Sequence, residues 1–288
     1  MNLSRRAFTH TVAATFAAQP FISMANTSSL IKLGICASPD RAEKLKTAGF
    51  DFIECGVSGQ LKPDVDDAKF APDLAKLVTS ALPIQSCNGF IPAKFKLTGP
   101  TVDHEAALAY AEIACQRADK ANIPFIVLGS GKARQTPEGF APAEGKKQFI
   151  AFCQALGKRI ANCRVTIVLE PLNKGETNLL NSVAEGIDYV DAINHPRIQL
   201  LADFYHMMKE NESADSIRKA GNRIRHCHIA ELQGRKSPGT ANEDLSAFFK
   251  ALRDIHYTGG VSCECSWPKE NVEEAWKKAL DIMKKQMS

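Results

Sequence analysis

The chain has 288 residues, of which 44% are hydrophobic, 24% charged and 7% aromatic, proportions that exclude wholesale disorder, collagen-like repeats and a long coiled coil. Taking Arg5 and Arg6 out of the 36 basic residues leaves 34 against 32 acidic ones, a net charge of +2. A domain so close to neutral has no electrostatic footprint for a nucleic-acid backbone or an anionic membrane.

Residues 1–25 read as an export signal rather than as part of a fold. Ser4-Arg5-Arg6-Ala7-Phe8 is a twin-arginine start, a weakly apolar stretch runs from Thr11 to Ile22, and Ser23-Met24-Ala25 offers small residues where a signal peptidase reads. The stretch is too short and too polar for a transmembrane helix. The expectation is a periplasmic protein, exported folded by the twin-arginine route. Residues 1–25 are then the signal peptide and residues 26–288 one domain.

From Leu30 onward, short β-branched runs alternate with longer amphipathic ones. The strand candidates are Ile31–Cys36, Phe50–Cys55, Ile84–Asn88, Phe125–Leu128, Val165–Glu170, Ile198–Asp203, Ile224–Ile229 and Gly260–Cys265. Several are almost continuously apolar, as strands covered on both faces are. The helical stretches are Pro39–Ala48, Asp103–Ala121, Glu144–Asn162, Ser182–Ile193, Ser213–Ala220, Glu243–Ile255 and Val272–Met287, with Ser182 and Glu185 spaced as a capping box. Eight such units predict a (β/α)8 barrel. A doubly wound open sheet is the rival, weakened because no glycine-rich phosphate loop follows the first strand. The nine cysteines sit mostly in apolar runs, with no Cys-x-x-Cys pair, and read as buried small hydrophobes rather than disulfides or a zinc site.

In such a barrel the carboxyl ends of the strands carry the chemistry. Here they carry acids and imidazoles: Glu54, Glu170, Asp203 with His206, His226 and His228, and Glu264. One acid at a strand end is most simply a salt bridge or a cap. Four consecutive strands ending this way converge on one patch, where a divalent cation offsets the repulsion. Glu170, Asp203, His228 and Glu264 form a hard, oxygen-rich set that suits Mn2+, Mg2+ or Co2+ over a thiolate-loving metal. His226 and His228 share a face. His228, nearer the strand end, is assigned to the metal, and His226 to the core one layer deeper.

These stretches resemble the sugar isomerase/epimerase group of xylose isomerase-like TIM barrels, with D-tagatose 3-epimerase-type ketose epimerases the nearest in pattern. The resemblance covers residues 30–285. It rests on Leu169-Glu170-Pro171-Leu172-Asn173, Glu176-Thr177-Asn178, Asp203-Phe204-Tyr205-His206-Met207, His228-Ile229-Ala230-Glu231 with Arg235, and Glu264. Gly129–Arg134 resembles a loop of the same group. The resemblance implies that Glu170 and Glu264 are both metal ligands and catalytic acid/bases, with Asp203 and His228 completing the set around one divalent ion, Mn2+ foremost and Zn2+ also admissible. It implies that Glu176, His206 and Arg235 bind substrate. The DNA-repair endonucleases of the superfamily need further histidines after strands two and three and an Asp-x-His after strand seven, all missing here.

The chemistry expected of this set is abstraction of a proton beside a carbonyl, through an enediolate, which epimerises or isomerises a sugar. Export raises an alternative, an epimerase or lyase of 3-keto-sugars or 3-keto-glycosides. A non-catalytic sugar-binding barrel ranks lower, because all four ligand positions are filled. The expected partner is a small sugar, and the resemblance leaves a homo-oligomer open. Phe90, Phe204, Tyr205 and Trp267 are candidates to pack on a sugar or within the barrel.

Overall fold

Strands covered on both faces have no polar side to expose, so a sheet of them must close or be sandwiched. The computed structural model describes residues 31–288, and there eight parallel strands close on themselves. They are β1 (Lys32–Cys36), β2 (Phe52–Gly56), β3 (Ile84–Asn88), β4 (Phe125–Leu128), β5 (Thr166–Leu169), β6 (Ile198–Asp203), β7 (Ile224–Ile229) and β8 (Gly260–Cys263). Each pairs with its sequence neighbours, and β8 returns to β1 with Leu33 opposite Val261 and Ile35 opposite Cys263. The open-sheet rival is thereby excluded. The signal-peptide reading of residues 1–25 lies outside the described residues. Among the described residues, no helix is long and apolar enough to cross a membrane.

The helices are α1 (Ala42–Ala48), α2 (Asp67–Val78), α3 (Glu105–Lys120), α4 (Gly131–Arg134), α5 (Pro142–Arg159), α6 (Val183–Ile193), α7 (Phe204–Lys209), α8 (Asp215–Ala220), α9 (Ser246–Asp254) and α10 (Val272–Met287). Three escape the sequence pattern. Pro72 interrupts the periodicity of α2, which Asp66 caps through the Lys69 amide. The other two, α4 and α7, are too short to show a period. At α6, Ser182 Oγ accepts from the Glu185 amide at 3.0 Å, as expected of a capping box. The Glu185 carboxylate, however, reaches back to the Asn181 amide (2.8 Å), one residue before the cap.

The main core lies between sheet and helices and includes Phe149, Phe152, Tyr189, Phe204 and Phe249. The barrel interior is divided. Val127, Val168 and Leu201, with Phe125 against them, form an apolar half under β4–β6. Glu54, Ser86, His226 and Ser262 form a buried polar half under β2, β3, β7 and β8. Phe52 plugs the floor, and a side chain at Gly34 or Gly260 would overlap its ring, which is why β1 and β8 carry glycine there. All nine cysteines are free thiols, seven of them buried, as expected of small hydrophobes.

Candidate metal centre

Residue 170 directly follows β5, Asp203 ends β6, His228 lies on β7, and residue 264 directly follows β8. The barrel brings one ligand atom from each of Glu170, Asp203, His228 and Glu264 to within 4.8 Å of one another. His228 Nδ1 is the hub: it lies 3.0 Å from Glu170 Oε1, 3.2 Å from Glu264 Oε2 and 3.9 Å from Asp203 Oδ2. His226 is one layer deeper, with its Nε2 at 2.6 Å from Glu54 Oε2 and its ring stacked on Phe125. Of the two histidines, His228 is thus the one whose ring reaches the acids of the mouth.

Asp203 does two things with one carboxylate. Its Oδ1 accepts from the Tyr205 amide (2.8 Å) and the His206 amide (3.4 Å), capping α7, while Oδ2 faces the cluster. The cap fixes the carboxylate and places His206 in the first turn of the helix. His206 is buried, and burial lowers its pKa, which favours the neutral ring. The Asn173 amide donates to its Nδ1 at 3.2 Å, which leaves the proton on Nε2. Among the described residues that N–H has no hydrogen-bond acceptor, and it sits 3.5 Å from Asp203 Oδ2.

Arg235 donates to Asp203 Oδ2 (3.2 Å) and to Glu264, stacks over Tyr205 (4.8 Å to the ring centre) and lies 3.6 Å from Glu176 Oε1. Its backbone is left-handed, φ 50°, a conformation costing a non-glycine residue about 1 kcal/mol or more. The loop is held in that shape from both sides. The Ser266 amide donates to the Arg235 carbonyl (2.7 Å), and buried Glu231 accepts from the amides of Gly239 and Ala241. Glu176 is tied to Asn173 at 3.0 Å. The structure therefore gathers all seven predicted site residues at one mouth. Of the candidate aromatics, Tyr205 reaches the site. Phe204 points away, stacked on Phe248 in the outer core, and Phe90 is fully buried.

Four carboxylates, counting Glu54, crowd two cations. Burial pushes Asp203 up to about 6, against the pull of His228 and Arg235. Burial and the Glu264 charge raise Glu170, against the His228 hydrogen bond. Burial also works against the charge on Glu264, but His228 and Arg235 outweigh it and bring that acid down to about 2. Burial depresses His228, and the Glu54 and Glu264 charges overcome this to raise it well above the usual imidazole range. So many acids, two of them reluctant to ionise, mark a place suited to a divalent cation. Three carboxylates and one imidazole are donors such an ion accepts.

Comparison with known proteins agrees with the barrel. The family model described as the xylose isomerase-like TIM barrel matches residues 42–286. The chain belongs to that family. It is 38% identical over 127 residues to an L-ribulose 3-epimerase of Methylomonas sp. (strain DH-1), 44% of either chain. It is also 28% identical over 139 residues to a 3-dehydro-D-guloside 4-epimerase of Escherichia coli, 48% of this chain and 53% of that one. The first of these matches thus spans less than half of its curated relative. Among solved structures, a D-psicose 3-epimerase with D-tagatose from Clostridium cellulolyticum superposes with a TM-score of 0.77 at 21% identity, covering 90% of this chain and 100% of that one.

Two features of this xylose isomerase-like barrel lie beyond the sequence reading. Arg134 is completely buried and donates to the carbonyls of Glu170 (2.8 Å), Leu179 (3.1 Å) and Leu128 (3.2 Å), tying β4, β5 and the loop after β5 together. The signal was there in Gly129–Arg134, but only as a resemblance. Gly129 leaves room for Glu170: a Cβ at residue 129 would overlap its Oε2. Gly129→Ala is therefore expected to displace the Glu170 carboxylate, lowering divalent-ion content at least about tenfold while the protein still folds. Elemental analysis of the purified variant checks this, and wild-type metal content would contradict it.

Proposed function

We propose that this protein is a divalent-metal-dependent epimerase or isomerase of ketoses, acting by proton abstraction beside a carbonyl. One observation carries the reading. Glu170, directly after β5, and Glu264, directly after β8, meet at one mouth, 3.0 and 3.2 Å from the same His228 Nδ1. Two carboxylates brought to one cluster from different strands can take a proton from one face of a bound carbon and return one to the other. Glu170, Asp203, His228 and Glu264 would hold the ion. When bound, such an ion supplies Lewis-acid polarisation of the substrate carbonyl. Glu264 takes the proton from the carbon next to that carbonyl, and Glu170 returns one to the opposite face, inverting the carbon. The His206 Nε2–H donates to a substrate oxygen, while Glu176 and Arg235 orient hydroxyls.

The test is to load the protein with Mn2+ and incubate it in D2O with a panel of ketoses. The expected result is deuterium at the carbon beside the carbonyl together with the 3-epimer, read by NMR. Sugar binding without exchange would replace this reading by a sugar-binding barrel.

A second reading, a 3-keto-glycoside epimerase or lyase, is supported by likeness to the E. coli 4-epimerase and by the twin-arginine start of the sequence. Proton loss is common to both. Release of a β-substituent from a 3-keto-glycoside marks a lyase, and an epimeric keto-glycoside marks an epimerase. Export itself is tested by fractionation: a periplasmic chain beginning near Asn26 supports it, and an uncleaved cytoplasmic chain opposes it.

A further inference from the structure

Glu54 accounts for the deepest part of the cluster. It is fully buried on β2, at the level where the barrel interior turns polar. A carboxylate with no solvent is costly unless donors surround it. Four do so here: His226 Nε2 at 2.6 Å, Ser86 Oγ at 2.5 Å and Ser262 Oγ at 3.2 Å on Oε2, and His228 Nε2 at 2.9 Å on Oε1. They come from β3, β7 and β8, so the carboxylate is fixed from three directions and cannot rotate away. His228 thus has one nitrogen on Glu54 and the other, Nδ1, on the three acids of the mouth.

We propose that Glu54 is the positioning residue of the metal centre, taking the proton-bearing Nε2 of His228 so that Nδ1 is the ligand atom. The inference rests on the metal reading above. A neutral imidazole has one N–H and one lone pair, and an acceptor fixed on one side assigns the lone pair to the other. A carboxylate behind the imidazole also raises its basicity and holds the ring plane. Ser86, Ser262 and His226 hold Glu54, and Glu54 holds His228. The polar half of the barrel interior is thereby a support for the mouth, which explains why β3 and β8 carry serines where β4–β6 carry valine and leucine.

A rival arrangement is present in the same atoms. Cys36, Glu54 and His228 also offer ligand atoms within 4.8 Å of one another, and Glu54 lies 2.9 Å from the Nε2 of that ring. An ion there would strip Nε2 of its proton.

The experiment uses the full protein with 15N-labelled histidine, loaded with Zn2+ because that ion is diamagnetic. The first measurement is the Zn2+ affinity of the wild type by chelator competition. A wild type that binds no ion overturns the metal reading, and the inference falls with it. With metal bound, the 15N spectrum is expected to show His228 protonated at Nε2 and liganded at Nδ1. A His228 without a proton on Nε2 overturns the inference and favours the Cys36 side. Glu54→Gln keeps the shape of the side chain but replaces one acceptor oxygen by an NH2 group that faces donors. It is expected to weaken Zn2+ binding about 10- to 100-fold, with the far-ultraviolet spectrum unchanged. Wild-type affinity in that variant overturns the inference, and should the variant fail to fold, the wild-type spectrum decides alone.

Discussion

Glu264→Gln is expected to lower kcat about 10²- to 10⁴-fold, the range lost when a positioned proton-transfer group is removed. Glutamine fills the same space and keeps an oxygen toward the cluster, but it cannot accept a proton from carbon. The proposed base is Glu264 because Arg235, in direct contact with it, favours its carboxylate form. Glu170→Gln should lose as much epimerisation with a different signature. With Glu264 intact, the proton beside the carbonyl still leaves and returns on the same face, so deuterium enters from D2O without inversion. Glu264→Gln, assayed with the same epimer, should show neither exchange nor inversion. A ketose should still bind both variants, as measured by calorimetry with Mn2+ saturating. Near-normal turnover in both variants would remove these residues from the chemistry.

The metal-free protein should be more stable at pH 5 than at pH 8, the reverse of its metal-loaded form. Asp203, raised to about 6 by burial, costs nothing below its unfolded pKa, and its penalty on the folded state builds as pH rises from there and is complete above about 6. A shift of that size corresponds to a cost on the order of 2–3 kcal/mol. Glu170, also raised, acts in the same direction. His228, raised by its acid neighbours, contributes stability that is fully present below its unfolded pKa and is lost as pH rises through its folded value. Glu264 and Glu54 are lowered, so their contribution is present above the unfolded carboxylate pKa and is lost only on further acidification. The metal-free optimum therefore lies near the upper end of the unfolded carboxylate range, before the Asp203 penalty is complete at about pH 6. A bound divalent ion stabilises the ionised acids and competes with the His228 proton, so added Mn2+ should raise Tm far more at pH 8 than at pH 5. Thermal melts with chelator and with Mn2+ at the two pH values check this. A metal-free Tm that rises from pH 5 to pH 8 would contradict the electrostatics.

The sequence alone determined the barrel and the outline of its mouth. Apolar runs such as Ile167–Leu169 and Leu200–Ala202 fit only a sheet covered on both faces. Each ends in a polar residue one step later, so Glu170 and Asp203 could be placed at the mouth without coordinates. Two-residue periodicity likewise put His228 above His226 on one face. These readings depend on neighbours along the chain, and strand periodicity reports those directly. Tertiary structure decided what depends on partners distant in the chain. Glu54, at the end of a strand, read only as one more acid on the carboxyl face of the barrel. Its donors Ser86, His226, His228 and Ser262 reach it because barrel stagger brings inward positions of β2, β3, β7 and β8 to one height, a relation no local pattern encodes. Arg134 was equally opaque, because an arginine buried on backbone carbonyls looks in sequence like any loop cation. The short helix after Asp203 had no period to read, yet its cap is what turns that carboxylate toward the cluster and brings His206 beside it. Strand order and facing direction are written in local hydrophobic alternation, whereas the hydrogen bonds that orient each site residue exist only once the barrel closes.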